Sequence, residues 1–174
     1  MVSAGTLTDT WDPSSSTTIG QGELGTIQVM KRGNGQFSIV KVIQMHATTR
    51  CTVGDVLMHS TASAGGDIAT VAIAAQEGQF PKGIAGASIT SGRRGYAVIG
   101  GIATAIVSGM GTVNQNLSVS GSTAAALTIN HGSGFGTATL PLTSSFAIVA
   151  RTNQAATNSA SGAAMQVHIL GLWG

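Results

Sequence analysis

The sequence predicts an all-β chain: an antiparallel β-sandwich or barrel, jelly-roll or tulip-like, with an extended arm at its N-terminus. Three observations carry this reading. Apolar residues recur at every second position in short runs, the period of a strand with one face buried. Each run is bounded by Gly, Ser, Asn or Thr, which supply turns, and the three prolines, Pro13, Pro81 and Pro141, fall between runs, where a missing N–H does no harm. Helical periodicity is nearly absent.

The runs follow one another along the chain. Residues 27–30 alternate, Lys31-Arg32-Gly33-Asn34-Gly35 supplies a turn with two glycines able to take positive φ, and 37–45 alternate again, which reads as a hairpin. Further strands are expected at 56–60, 68–74, 83–89, 96–107, 117–119, 126–129, 146–150 and 165–170. Alanine at 68–76 would permit a helical turn, but Gly65-Gly66 before it and Val71 and Ile73 within it favour a strand. Residues 152–164 are the most loop-like stretch, read as a surface loop between the last two strands. Residues 1–22 read as an extended arm, since Leu7 and Trp11 are its only large apolar anchors in a Ser/Thr-rich segment.

At 174 residues the chain suits one ordinary domain, here 23–174 behind the arm. Within it, Thr52-Val53-Gly54-Asp55-Val56-Leu57-Met58-His59-Ser60 aligns without gaps to Thr112-Val113-Asn114-Gln115-Asn116-Leu117-Ser118-Val119-Ser120. Gly83-Ile84-Ala85 and Tyr96 to Ile99 run parallel to Ala147-Ile148-Val149 and Met165 to Ile169. Two similar strand groups, about 23–110 and 111–174, are one expectation from this; coincidence in a Ser/Gly/Ala-biased sequence is the other.

Charged residues make up only 8% of the chain, against about 25% in an average soluble protein. An exterior of Ser, Thr, Asn, Gln, Gly and Ala is neutral, and such a surface is more comfortable when partners cover it. The net charge is +2 with no basic stripe. Lys31/Arg32 and Arg93/Arg94 each sit beside a glycine, the composition of a solvated turn, and two such pairs fall short of a nucleic-acid site. The single cysteine, Cys51, excludes a disulfide framework and reads as a small buried hydrophobe. No apolar run reaches the roughly 18 to 20 residues of a membrane span, and 1–22 lack the charged and apolar regions of a signal peptide.

Catalytic patterns are weak. The histidines, His46, His59, His131 and His168, have no ligand spacing, and structural zinc wants four clustered donors. No Gly-x-Ser-x-Gly elbow carries a nucleophile. His131-Gly132-Ser133-Gly134-Phe135-Gly136 is glycine-rich without a following helix to bind phosphate. Of the acids, Asp55, Asp67 and Glu77 lie in the β region, and Asp55 after Gly54 suits the capping of backbone amides. Aromatics total 4%, too few for sugar platforms. No catalytic residue, metal or cofactor is assigned.

Gly25-Thr26-Ile27 with its hairpin, Val53-Gly54-Asp55-Val56-Leu57, Lys82-Gly83-Ile84-Ala85, Ser91-Gly92 and Tyr96-Ala97-Val98-Ile99-Gly100-Gly101-Ile102-Ala103 resemble the head decoration, or cement, proteins of tailed phages. The resemblance covers roughly residues 22–120, and the long arm and the Ser/Asn/Ala loop near the C-terminus depart from it. It implies a non-enzymatic virion protein, commonly a homotrimer, assembled in the host cytoplasm. Such a protein binds the major capsid protein on the outer head surface and bridges subunits. Neither nucleic acid nor membrane is an expected partner. Aromatics dominate interface energetics, so Trp11 and Trp173 near the ends are interface candidates, with Leu7, Arg93 and Arg94; Phe37 and Tyr96 are anchors or core. A receptor- or glycan-binding head-fibre module is the alternative, and a hydrolase using Asp55 or Glu77 a third.

Overall fold

Alternating runs bury one face each, and the strands they form pair into a single continuous sheet. The structure, a computed structural model, describes residues 4–7, 24–32, 35–60, 66–73, 80–109, 114–120, 123–129, 149–153 and 162–170. Every regular element among them is a strand: β1 (Ala4–Leu7), β2 (Ile27–Arg32), β3 (Phe37–Met45), β4 (Val56–His59), β5 (Ile68–Val71), β6 (Gly83–Ala85), β7 (Arg94–Ser108), β8 (Asn116–Val119), β9 (Leu127–Ile129), β10 (Ala150–Thr152) and β11 (Ala163–Ile169). The fold is all-β, and most ladders are antiparallel. Parallel pairing occurs between β1 and β2, β3 and β5, and β7 and β9.

The pairings close twice. One ring runs β3-β5-β4-β6-β7 and returns to β3. The other runs β7-β11-β10-β8-β9 and returns to β7. Closure leaves neither ring with an open edge of its own. The 15-residue β7 belongs to both. Its first half pairs with β3 and β6, its second with β11 and β9.

The two rings repeat each other strand for strand, and several main-chain bonds recur between them. β3, β4, β5, β6 and the first half of β7 match the second half of β7, β8, β9, β10 and β11, with parallel and antiparallel partners in the same places. Gly54 N–H donates to Ala85 O at 2.9 Å as Asn114 N–H donates to Thr152 O at 3.0 Å. Lys82 N–H donates to Leu57 O as Val149 N–H donates to Leu117 O. Gly86 N–H donates to Tyr96 O as Asn153 N–H donates to Gln166 O. Gly54 has φ +91° and its counterpart Asn114 φ +64°, a left-handed conformation that glycine and asparagine tolerate best. The gapless match of 52–60 to 112–120 thus falls on corresponding turns and strands. The second alignment is displaced: the counterpart of Gly83–Ala85 is Ala150–Thr152, not 147–149. Apolar character drew the expected strand to 146–150, but Val149 stands where Lys82 does, just before the strand.

In the second ring the faces alternate cleanly. Ala103, Ala105, Val107, Met165 and Val167 are buried, whereas Ile102, Thr104 and Ile106 are half-buried and His168 exposed. The first ring is buried on both faces: Ile43, Leu57, Ala97 and Ile99 on one, Val40, Val56, Ile84 and Val98 on the other. Such strands read as near-continuous apolar runs, as 96–99 does. Small residues crowd these narrow rings; a Cβ on Gly83 would lie 2.7 Å from the Cβ of Ala97.

β7 passes from one ring to the other at Gly100-Gly101, where the β3 register also shifts. Gly101 has φ +75°, and a Cβ there would stand 2.6 Å from the carbonyl oxygen of Phe37. Backbone conformation and space both demand glycine. Gly35 has φ +81° with nothing within 4 Å, so it isolates the conformational part. Gly35→Ala should cost about 1 kcal/mol and Gly101→Ala about 3 kcal/mol, because only the second adds a backbone clash. Urea unfolding of the two variants checks this; equal costs would mean that the close approach at Gly101 contributes nothing.

Candidate functional site

Two features stand out against a fold built from apolar and small residues: a set of exposed large apolar side chains, and a charge cluster in the first ring. Phe80 (69% exposed), Phe37 (57%), Ile73, Ile27, Val53 and Leu170 project into solvent. Phe37 begins β3 and Ile27 begins β2, at opposite ends of one hairpin. Tyr96, the other aromatic expected to be anchor or core, is buried and its hydroxyl hydrogen-bonds Gln28. Of the interface candidates, Arg93 precedes β7 and Arg94 begins it, and both are exposed. Leu7 ends β1 opposite Arg32, so part of the arm is a strand laid parallel on β2. Trp11 and Trp173 lie outside the described residues, as does His131.

The charge cluster is a feature that spacing could not reveal. Lys41 on β3 approaches Asp67 Oδ1 to 3.0 Å, and Lys82, just before β6, approaches the same oxygen to 3.4 Å. Lys82 is wholly buried and its Nζ also donates to Gly66 O. Gly25 makes room for the carboxylate: a Cβ there would meet Asp67 Oδ2 at 2.7 Å. Burial pushes the Asp67 pKa up, but the hydrogen bond and charge of Lys41 and the charge of Lys82 outweigh it and hold the carboxyl below its usual range. Burial, then repulsion from Lys41, pulls Lys82 down against the attraction of Asp67. Burial and both lysines likewise lower His59.

The second ring supplies an internal control. Ala103, Ala125 and Val149 stand where Lys41, Asp67 and Lys82 stand in the first, by the register and hydrogen bonds given above. The fold closes without charges there, so it does not require the cluster. What the cluster does in the first ring is tie the Gly66-Asp67 turn to β3 and to the segment entering β6.

Two further groups among the described residues, Asp55 and Cys51, have partners or burial that serve the fold. Asp55 Oδ2 accepts the Thr52 N–H at 2.7 Å, the capping expected of it. Cys51 is buried, and that burial chiefly pushes its thiol up to about 11, so it is no nucleophile at neutral pH. Among the described residues no three His, Cys, Asp or Glu side chains converge on a metal position.

No family model matches the chain, and no curated protein matches it in sequence. Among solved structures, the chain is similar to the head fibre gp8.5 N base of bacteriophage phi29, at 13% identity and a TM-score of 0.48, over 75% of this chain and 94% of that one.

Removing Asp67 leaves two lysines facing each other, one of them buried. Asp67→Ala should cost about 3 kcal/mol, whereas the triple variant Lys41→Ala/Asp67→Ala/Lys82→Val, which copies the second ring, should recover most of it. Chemical denaturation decides; a triple variant as unstable as the single one would make the charges essential. The Asp67 pKa is depressed on folding, so its contribution is present above the unfolded value near 3.8 and is lost as pH falls through the lower folded value. Asp67→Asn should flatten that part of the stability–pH profile below about pH 4.

Proposed function

We propose that this chain is a non-enzymatic structural protein of a phage head, binding the outer surface of the shell as a homotrimer and stabilising it by bridging capsid subunits. The observation that carries the reading is the exterior: charged residues are 8% of the chain, yet Phe37 and Phe80 stand more than half exposed. Exposed aromatics on a neutral surface suit an interface with a subunit of the same assembly. The resemblance of residues 22–120 to head decoration proteins supplies the setting.

The mechanism is mechanical. Two closed rings locked by one strand resist deformation, and several modest contacts per trimer add through multivalency. The polar arm, with Leu7 and Trp11, is assigned a contact to a neighbouring subunit, and Arg93 and Arg94 offer charge where the chain enters β7. No reaction is part of this role.

Mixing the purified chain with expanded empty heads tests the reading. Co-sedimentation and a rise in the shell melting temperature are expected; absence of both contradicts it. Deleting residues 1–22 removes β1 and leaves both rings, so attachment should weaken by at least about tenfold while the unfolding midpoint moves little. Unchanged attachment would exclude the arm from the interface.

A further inference from the structure

Each parallel pairing belongs to the same three-strand arrangement, which the sheet uses three times. β3 carries β5 parallel on one edge and β7 antiparallel on the other. The second half of β7 carries β9 parallel and β11 antiparallel. β2 carries β1 parallel and β3 antiparallel. The registers correspond too: Gln44 pairs with Ile68 and Arg94, and Lys31 pairs with Thr6 and Phe37. β1 thus stands on β2 where β5 stands on β3 and β9 on β7.

Three differences set β1 apart. β5 and β9 follow the strands they pair with and are held on their other edges by β4 and β8. β1 precedes β2 and pairs, among the described residues, with β2 alone. Main-chain bonds to one strand are the same whichever copy of the chain supplies β1. The connection is also longer than a local return needs. Leu7 lies level with Arg32, so reaching Ile27 on the same β2 takes about 20 Å. Residues 8–26 can span about 60 Å, and a compact domain of about 150 residues is roughly 40 Å across. The edge itself is unguarded: Ala4-Gly5-Thr6-Leu7 has neither the charge nor the proline that keeps an edge strand from pairing with another chain.

We infer that β1 is exchanged between copies of this chain: the arm of one copy lays β1 parallel on β2 of its neighbour. Donation of this kind is head-to-tail, and repeated around a ring it closes on itself. The cost of closing a loop rises slowly with its length, so the long connection adds little penalty to the exchange. The inference rests on the homotrimer reading only for the number of copies in the ring.

The test uses the full chain with cysteines at paired positions, Thr6→Cys and Lys31→Cys. Cys51 is buried and stays out of the reaction. The two single variants are refolded together from urea, treated with a short bismaleimide and separated on a denaturing gel. A covalent dimer is expected in the mixture and not when either variant is treated alone. The double variant Thr6→Cys/Lys31→Cys should give a covalent ring of copies rather than a monomer linked within itself. Lys31 is exposed, so unfolding midpoints should stay near wild type; if a variant does not fold, Ala4→Cys and Val29→Cys, the next pair on that face, replace it. Deleting residues 1–7 should raise the concentration at which the copies separate by at least about tenfold. A link confined to one chain, or no link in either experiment, overturns the inference. Light scattering on the wild type separates it from the reading it builds on. A trimer with links only within chains overturns the exchange and leaves the homotrimer standing. Links between chains in a ring of another size uphold the exchange and overturn the homotrimer, and a monomer overturns both.

Discussion

The rest of the structure depends on one strand serving two closed rings. A five-stranded ring is narrow, and filling it demands small side chains, which is one reason the chain is rich in glycine and alanine. β7 closes the first ring with its first half and opens the second with its other half. That sharing is geometrically costly at one place, and there the chain has Gly100-Gly101. Because the strand is continuous, the rings cannot move independently without breaking β ladders, and the exposed faces of β2, β3, β11 and β10 keep a fixed relation.

Duplication explains which residues have freedom to differ. Main-chain hydrogen bonds recur in both rings, so they define the frame. Side chains differ where the frame allows. The first ring carries Lys41, Asp67 and Lys82, and the second carries alanine and valine at those places. The rings share one hydrophobic core and also meet through main-chain bonds: Ile106 N–H donates to Gly54 O, Val56 N–H to Ala125 O and Ala125 N–H to Ala72 O. Backbone contacts of this kind tolerate sequence drift, since they use groups every residue has.

Strand positions were readable because alternation and turn residues are local signals. Strands at 27–30, 37–45, 56–60, 117–119 and 126–129 shift by no more than two residues at either end in the structure. Closure was not readable, since parallel partners such as β3 and β5 are joined only in three dimensions. β10 was displaced because Ala150-Arg151-Thr152 carries a charge at the middle of the strand, where its exposed face turns outward. Lysine is rarely fully buried, so Lys82 gave no sign that it lies inside, and its partner Asp67 is 15 residues away in sequence. Phe37 was ambiguous because an alternating strand does not say which face meets solvent. The two sequence candidates with the largest apolar surface, Trp11 and Trp173, lie outside the described residues.

A density map of heads carrying the chain tests the account most directly. The exposed face of β3 that carries Phe37 is expected to lie against a capsid subunit on the outer surface of the shell. A map in which that face points to solvent, or in which the chain is absent from the shell, would contradict it.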